Sequence, residues 1–246
     1  HKEEKFTMKL KKIASLALAG VMAVSMLAGC ATTSVDPEPN QPEEPTTPTG
    51  YSATLQKKLS AHANDSITLS DSNELNNALN YAAGFVGDAT ITGEFGDEIF
   101  DGKVTYVDYW SNAALVEARD SLYDALSVKV KDDTTYFNAS NLIARLDPAG
   151  KAPSDPAYYT KKDVNTVLLY AVAGNVSMEN VMEEIANDID QAIVGLTESY
   201  KVTDNGTSDA FFNYTGSVAT CTKTYEAGHG MSVTLVAVEI VRHIGK

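Results

Sequence analysis

The chain has 246 residues, with 19 Lys and Arg against 33 Asp and Glu, a formal charge of −14, 43% hydrophobic residues, 16 Gly, 8 Pro and 2 Cys. This mixture excludes collagen, a coiled coil and a wholly disordered chain. The negative charge excludes nucleic acid as a main partner, and two cysteines make neither a disulfide framework nor a zinc cluster.

Taken in chain order, Met8 opens a basic segment (Lys9, Lys11, Lys12), and Ile13 to Ala28 follows as an apolar stretch of Ala, Leu, Val, Met and Ser. That stretch is short for a transmembrane helix, which needs about 20 residues. It ends in Leu27-Ala28-Gly29-Cys30, small residues that leave the backbone open to a peptidase. Residues 8–30 together resemble a bacterial lipoprotein signal peptide with its lipobox. The resemblance covers that segment only. It implies cleavage between Gly29 and Cys30, lipidation of the Cys30 thiol, and a protein anchored on the extracytoplasmic face of the cell membrane. Residues 1–7 precede Met8; Lys2-Glu3-Glu4 requires a purine-rich codon run that reads like a ribosome-binding site, so 1–7 is expected to be translated leader. Removing residues 1–29 takes away five Lys and two Glu and leaves 14 basic against 31 acidic residues, a charge of −17. An anionic membrane surface does not attract such a chain, so the lipid is expected to do the anchoring, at about 0.8 kcal/mol per buried CH₂.

Residues 30–50 hold the lipidated Cys and a linker. Ala31 to Gly50 carries five of the eight prolines and four acids, with almost no apolar residue, too little to offset the entropy of ordering. Polyproline II geometry gives it a reach of roughly 60 Å at about 3.1 Å per residue. A PxxP recognition ligand is the alternative to a stalk.

Residues 51–246 are long enough for one compact domain or two small ones. Asp71 with Glu74 forms a capping box before Leu75, Ala78, Leu79, Ala82 and Val86 at helical spacing. Two β-type runs follow, 89–95 and 103–110, then a helix over 113–126 with a Leu115, Ala118, Leu122, Leu126 stripe. Residues 128–137 read as extended and 138–146 as a short helix. Asp147 to Pro156 is the only interior Pro/Gly cluster, hence the best internal boundary. Thr160 and Asp163 cap a helix expected to run to Ala173; it is apolar nearly all round and so central. Ser177 starts an amphipathic helix to Leu196, with Val181, Met182, Ile185, Ile189, Ile193 and Leu196 inward and Glu183, Glu184, Asp188 and Asp190 outward. The segments 200–203, 211–225 and 231–244 are strand-like, the last two forming a long C-terminal β-hairpin around residues 226–230, with Val233 to Val238 in an interior strand. The fold class is therefore α+β, an antiparallel sheet covered by several amphipathic helices.

Candidate chemistry is sparse. His229 sits between Gly228 and Gly230, a tip that presents an imidazole to a ligand or simply turns the chain. Cys221 reads as a small buried hydrophobe; a nucleophile would need His229 from across the hairpin turn. His62 and His243 have no distinguishing company. Asp97, Asp101, Gly102 and Asp108 match positions 1, 5, 6 and 12 of a calcium loop, but Ile99 occupies position 3 and the second half is strand-like, so calcium competes with a solvated hairpin loop. Asp204-Asn205-Gly206 with Asp209 is a better turn than metal site. Tyr106, Tyr109, Trp110, Tyr158 and Tyr159 are candidates for a sugar-binding platform, weakened because Tyr109 lies on the opposite strand face from Tyr106 and Trp110. No Walker loop, GxGxxG, HExxH, GxSxG or SxxK occurs. Three readings follow: a surface-tethered binding module for an envelope protein or glycan, without cofactor; a lipid-anchored hydrolase of cell-wall or glycan material working through acidic residues, with His229 as an accessory; or a structural component of the envelope.

Overall fold

The computed structural model describes residues 50–87, 101–108, 111, 113–128, 138–146, 163–202, 208–225 and 231–245. In chain order these form α1 (Tyr51–Lys58), α2 (Ala61–Ser66), β1 (Ile67–Leu69), α3 (Asn73–Ala82) with a 3₁₀ turn at Ala83–Phe85, β2 (Thr105–Tyr106), α4 (Ala113–Ala125), α5 (Ala139–Ile143) with a 3₁₀ turn at Ala144–Leu146, β3 (Val164–Ala173), α6 (Met178–Val194), β4 (Ser199–Val202), β5 (Ser208–Tyr225) and β6 (Met231–Gly245). The fold is α+β.

The sheet grows from the β5–β6 hairpin, paired from Phe211 with Gly245 to Tyr225 with Met231. β3 joins the other side of β6 over ten residues, and the strand order is β1-β5-β6-β3-β2, with β4 also pairing β5. All pairs are antiparallel except β1 with β5, which is parallel, so the sheet is mixed where the sequence suggests a purely antiparallel one. Strands from both sides of residues 147–156 share this sheet and one hydrophobic core.

Register sorts the side chains onto two faces. Residues 168, 170, 172, 236, 238, 240, 212, 214 and 218 share one face, on which Tyr170 donates a 2.8 Å hydrogen bond to Asp188 of α6 and Tyr214 donates one of 2.7 Å to the Thr197 carbonyl just beyond it. Burial of the Tyr170 phenol, beside the Asp188 carboxylate, raises its pKa well above the ordinary value. Helices α1, α2 and α5 pack with α6. Lys58 bridges to Glu179 and Glu183 of α6 at 2.8 and 3.1 Å, and Asp190 accepts from the Ser60 amide at 2.7 Å. The opposite face receives α3 and α4: Asn165 donates to the Leu126 carbonyl that ends α4 at 3.0 Å.

The three amphipathic helices form as their spacing dictates. Leu75, Ala78, Leu79 and Ala82 of α3 are buried, as are Leu115, Ala118 and Leu122 of α4 and Val181, Met182, Ile185, Ile189 and Ile193 of α6. One cap differs from expectation. Ser72 caps α3 by accepting from the Leu75 amide, and Asp71 instead accepts from the Gly50 amide at 3.3 Å. Helix α4 closes with Ser127 at φ 56, its neighbour Val128 donating back to the Tyr123 carbonyl, the wrap-around that normally favours glycine.

The larger correction concerns residues 163–173. They are not a helix but β3, a central strand buried from Thr166 to Ala173. A segment covered on both faces is apolar at nearly every position, so it carries no alternation to separate strand from helix; Val164, Thr166, Val167 and Val172 tip the balance by fitting a pleated surface. Asp163 therefore precedes a strand. Of the expected strands, 103–110 shrinks to Thr105–Tyr106 among the described residues; 89–95 and most of 128–137 lie outside them. Helices α1 and α2 and strand β1 are additional to the sequence reading.

Candidate functional site

At the end of the sheet away from the hairpin tip, the face that carries α3 and α4 becomes polar. Register places Asn213 opposite His243, and the β3–β6 pairing, continued by one residue past Val164 with Arg242, places Asp163 on the other side of the same histidine. His243 Nδ1 lies 2.8 Å from Asp163 Oδ2, and its Nε2 lies 2.7 Å from Thr215 Oγ1. The second carboxylate oxygen of Asp163 accepts from the Ile244 amide at 3.3 Å. The hydrogen bond from His243, with the Ile244 amide assisting against desolvation, lowers the Asp163 pKa. Both side chains are open to solvent, 37% for His243 and 57% for Asp163, and Asn213 and Thr68 beside them are exposed. Carboxylate, imidazole and hydroxyl thus stand in line on an accessible floor.

Four residues back along β6 from His243, past Val241 on the same face, sits Glu239. Its carboxylate accepts from Asn165 at 3.0 Å. Burial raises its pKa, the bonds from Asn165 and Ser217 oppose that shift, and the charge of Glu74 at the start of α3 adds to it. Asn165 divides its amide between Glu239 and the α4 carboxyl end, so the side chain that holds this carboxylate is itself tied to a second element. Below the floor, on the other face, Arg242 is fully buried, donating to the Leu146 carbonyl at 2.6 Å and stacking 4.7 Å over the Phe212 ring.

The residues singled out from sequence mostly fall elsewhere. Cys30, Asp97, Tyr109, Trp110, Tyr158, Tyr159, Asp204, Asn205, Gly206 and His229 lie outside the described residues. Asp101 is exposed, Gly102 takes φ 75, and Asp108 accepts from the Ser111 hydroxyl at 3.1 Å. Among the described residues no group of three His, Cys, Asp or Glu side chains is placed to hold a metal ion. Tyr106 turns toward the interior: its ring meets Tyr170 edge-on at 5.5 Å, and burial raises its pKa, with Tyr123 beside it raised to about 12 by its own burial. Cys221 is half-buried against the core, and that burial raises its thiol pKa. His243 is the main residue that sequence reasoning passed over, because its partners stand 80 and 28 positions away. The available signal is polar side chains of matching parity, Asn213 and Thr215 on one strand and His243 on the other.

No protein-family model, curated protein or solved structure matches the chain.

Proposed function

We propose that this chain is a lipid-anchored protein of the bacterial envelope, held at the extracytoplasmic face of the membrane through Cys30 and presenting a ligand-binding module on its acidic, proline-rich stalk. The observation that carries the binding role is the open polar floor at Asn213, Thr215, Thr68, His243 and Asp163, where hydroxyl, amide, imidazole and carboxylate groups share one face of the sheet. Hydroxyl, amide and imidazole groups on a flat, accessible surface suit a hydroxyl-rich ligand, each supplying directional hydrogen bonds. The charge of −14 disfavours polyanions. The ligand class that fits is a neutral or cationic glycan of the envelope.

The test is co-sedimentation of the full chain in detergent with purified cell-wall glycan. Wild type should pellet and be released by competing soluble saccharide, and Asn213→Ala with His243→Ala should weaken retention. Equal retention of wild type and the double variant would remove the floor from the binding role. Anchoring is read separately: Cys30→Ala should leave the membrane fraction or accumulate as uncleaved precursor, and a cleaved, membrane-bound Cys30→Ala protein would refute the lipid anchor.

A further inference from the structure

We propose that the floor also carries chemistry: Thr215 Oγ1 is a nucleophile for acyl transfer, His243 is its general base, Asp163 positions the imidazole, and Asn213 supplies the amide that faces the developing oxyanion. The substrate class is a carboxylic ester. This goes beyond binding and does not depend on which ligand the floor holds.

The relay meets the geometric requirements for an activated hydroxyl. Nucleophile and base must lie within about 2.6–3.2 Å, with the base oriented by a third group on its other nitrogen. Here the hydroxyl stands 2.7 Å from Nε2, and the carboxylate stands 2.8 Å from Nδ1. Asp163 is itself fixed, because Oδ1 takes the Ile244 amide while Oδ2 takes the imidazole. With Asp163 accepting at Nδ1, the neutral ring carries its proton there and leaves Nε2 as the acceptor that a base needs. Thr215 is β-branched and lies in the middle of a paired strand, so few rotamers are open to its hydroxyl. Asn213 belongs to the same strand face, directly across from His243, and its side chain is exposed beside the half-exposed hydroxyl. Around Thr215, β5 is paired with β6 on one side and with β1 on the other, so its backbone amides there are committed to the ladder and the oxyanion donor has to be a side chain.

The chemistry balances without any other reactant than water. His243 Nε2 takes the Thr215 proton as Oγ1 bonds to the ester carbonyl carbon and the carbonyl electron pair moves onto oxygen. Collapse of that adduct breaks the bond to the leaving alkoxide, which takes the proton back from Nε2, and Thr215 is left acylated. Water then gives a proton to Nε2 while its oxygen bonds to the same carbon. The second collapse breaks the bond to Oγ1, which recovers its proton. Ester and water have become acid and alcohol.

The test uses the full chain in detergent, a fluorophosphonate probe with peptide mapping, and p-nitrophenyl acetate as the ester. Wild type should carry the probe on Thr215 and turn the ester over. Thr215→Val and His243→Gln should each lose at least about 10²-fold in labelling and turnover, Thr215→Ser should retain both, and Asn213→Ala should lose about 10²–10³-fold in turnover. Asp163→Asn should abolish the downfield proton resonance of His243 Nδ1 and slow labelling while thermal melting stays cooperative. Cooperatively folded wild type without an adduct at Thr215 would overturn the proposal. So would labelling at the wild-type rate in His243→Gln, or turnover surviving in Thr215→Val.

Discussion

Ser52 offers a sharp test of how the sheet is held to its first helix. It lies in the opening turn of α1, fully buried, and its hydroxyl both donates to the Ser70 carbonyl and accepts from the Val218 amide, each at 3.0 Å. Strand β1 pairs with β5 only through Gly216, where the Ser70 amide still reaches the Gly216 carbonyl at 2.8 Å. Val218 is the next residue of β5 whose amide points outward, and the serine hydroxyl closes the rung that β1 is too short to make. Ser52→Ala removes the bond to the Ser70 carbonyl, worth about 0.5–1.5 kcal/mol, and orphans the buried Val218 amide, which costs about 1–3 kcal/mol. The expected loss is about 2–4 kcal/mol, a large share of the 5–15 kcal/mol typical of a domain. For a domain of this size that corresponds to a fall in Tm of roughly 5–15 °C. Calorimetry reads the global loss, and amide hydrogen exchange reads the cause, since Val218 should lose protection ahead of its neighbours. A helical control is Ser66→Ala, whose hydroxyl only returns to the His62 carbonyl and whose replacement should stay within about 0.5 kcal/mol. A Ser52→Ala protein within 0.5 kcal/mol of wild type, with Val218 still protected, would show that the hydroxyl does not close the ladder.

Val236→Asp should abolish cooperative folding, because Val236 is fully buried on the α6 face and an unpaired charge there costs several kcal/mol; Glu184→Ala, on the exposed side of α6, should be nearly silent, as urea titration would show. Thr166→Val should stabilise by about 1 kcal/mol, since Thr166 is 1% exposed and its hydroxyl has no hydrogen-bond partner among the described residues; an unchanged or lower urea midpoint would contradict this. Two carboxylates should pull the pH dependence of stability in opposite directions. Glu239 has a raised pKa in the folded state, so its protonated form favours folding, and that contribution fades as pH rises through the raised value; Glu239→Gln should gain on wild type toward neutral pH. Asp163 has a lowered pKa, so its contribution is present above the unfolded-state value near 3.9 and fades as pH falls through the folded one; Asp163→Asn should cost stability at neutral pH and converge with wild type in acid, and chemical melts from pH 3 to 7 would separate the two.

The sequence makes the helices legible because each has one wet side. Leu75, Leu79 and Ala82, or Ile185, Ile189 and Ile193, recur at the helical period only because the residues between them meet water. The same logic fails for residues 164–173. Covered on both sides, they lose the contrast from which a period is read, and their burial is legible while their conformation is not. Strand β1 is three residues long and pairs in parallel with a strand far along the chain, a contact that no local pattern encodes. The relay is hidden for a related reason. Asp163 resembles a helix cap until the following segment is known to be a strand, and Thr215 and His243 meet only through the hairpin register, which depends on where the turn falls.

The placement of the relay also separates its function from its stability. An exposed pair such as His243 with Asp163 contributes about 0–1 kcal/mol, because solvent screens it and ordering two side chains offsets part of the attraction. The buried polar groups beneath it behave differently. Arg242 is fully enclosed between the Leu146 carbonyl and the Phe212 ring, and Glu239 is held by Asn165 under the end of α4, so truncating either would leave a desolvated partner behind. Substitutions at His243, Asp163 and Asn213 can therefore be read for binding and for chemistry in a protein that still folds, whereas substitutions at Arg242 would report unfolding first. A loss of ester turnover in Asp163→Asn at neutral pH, with melting still cooperative and well above the assay temperature, thus identifies positioning of the imidazole as the cause, because the exposed pair contributes too little to stability to unfold the protein.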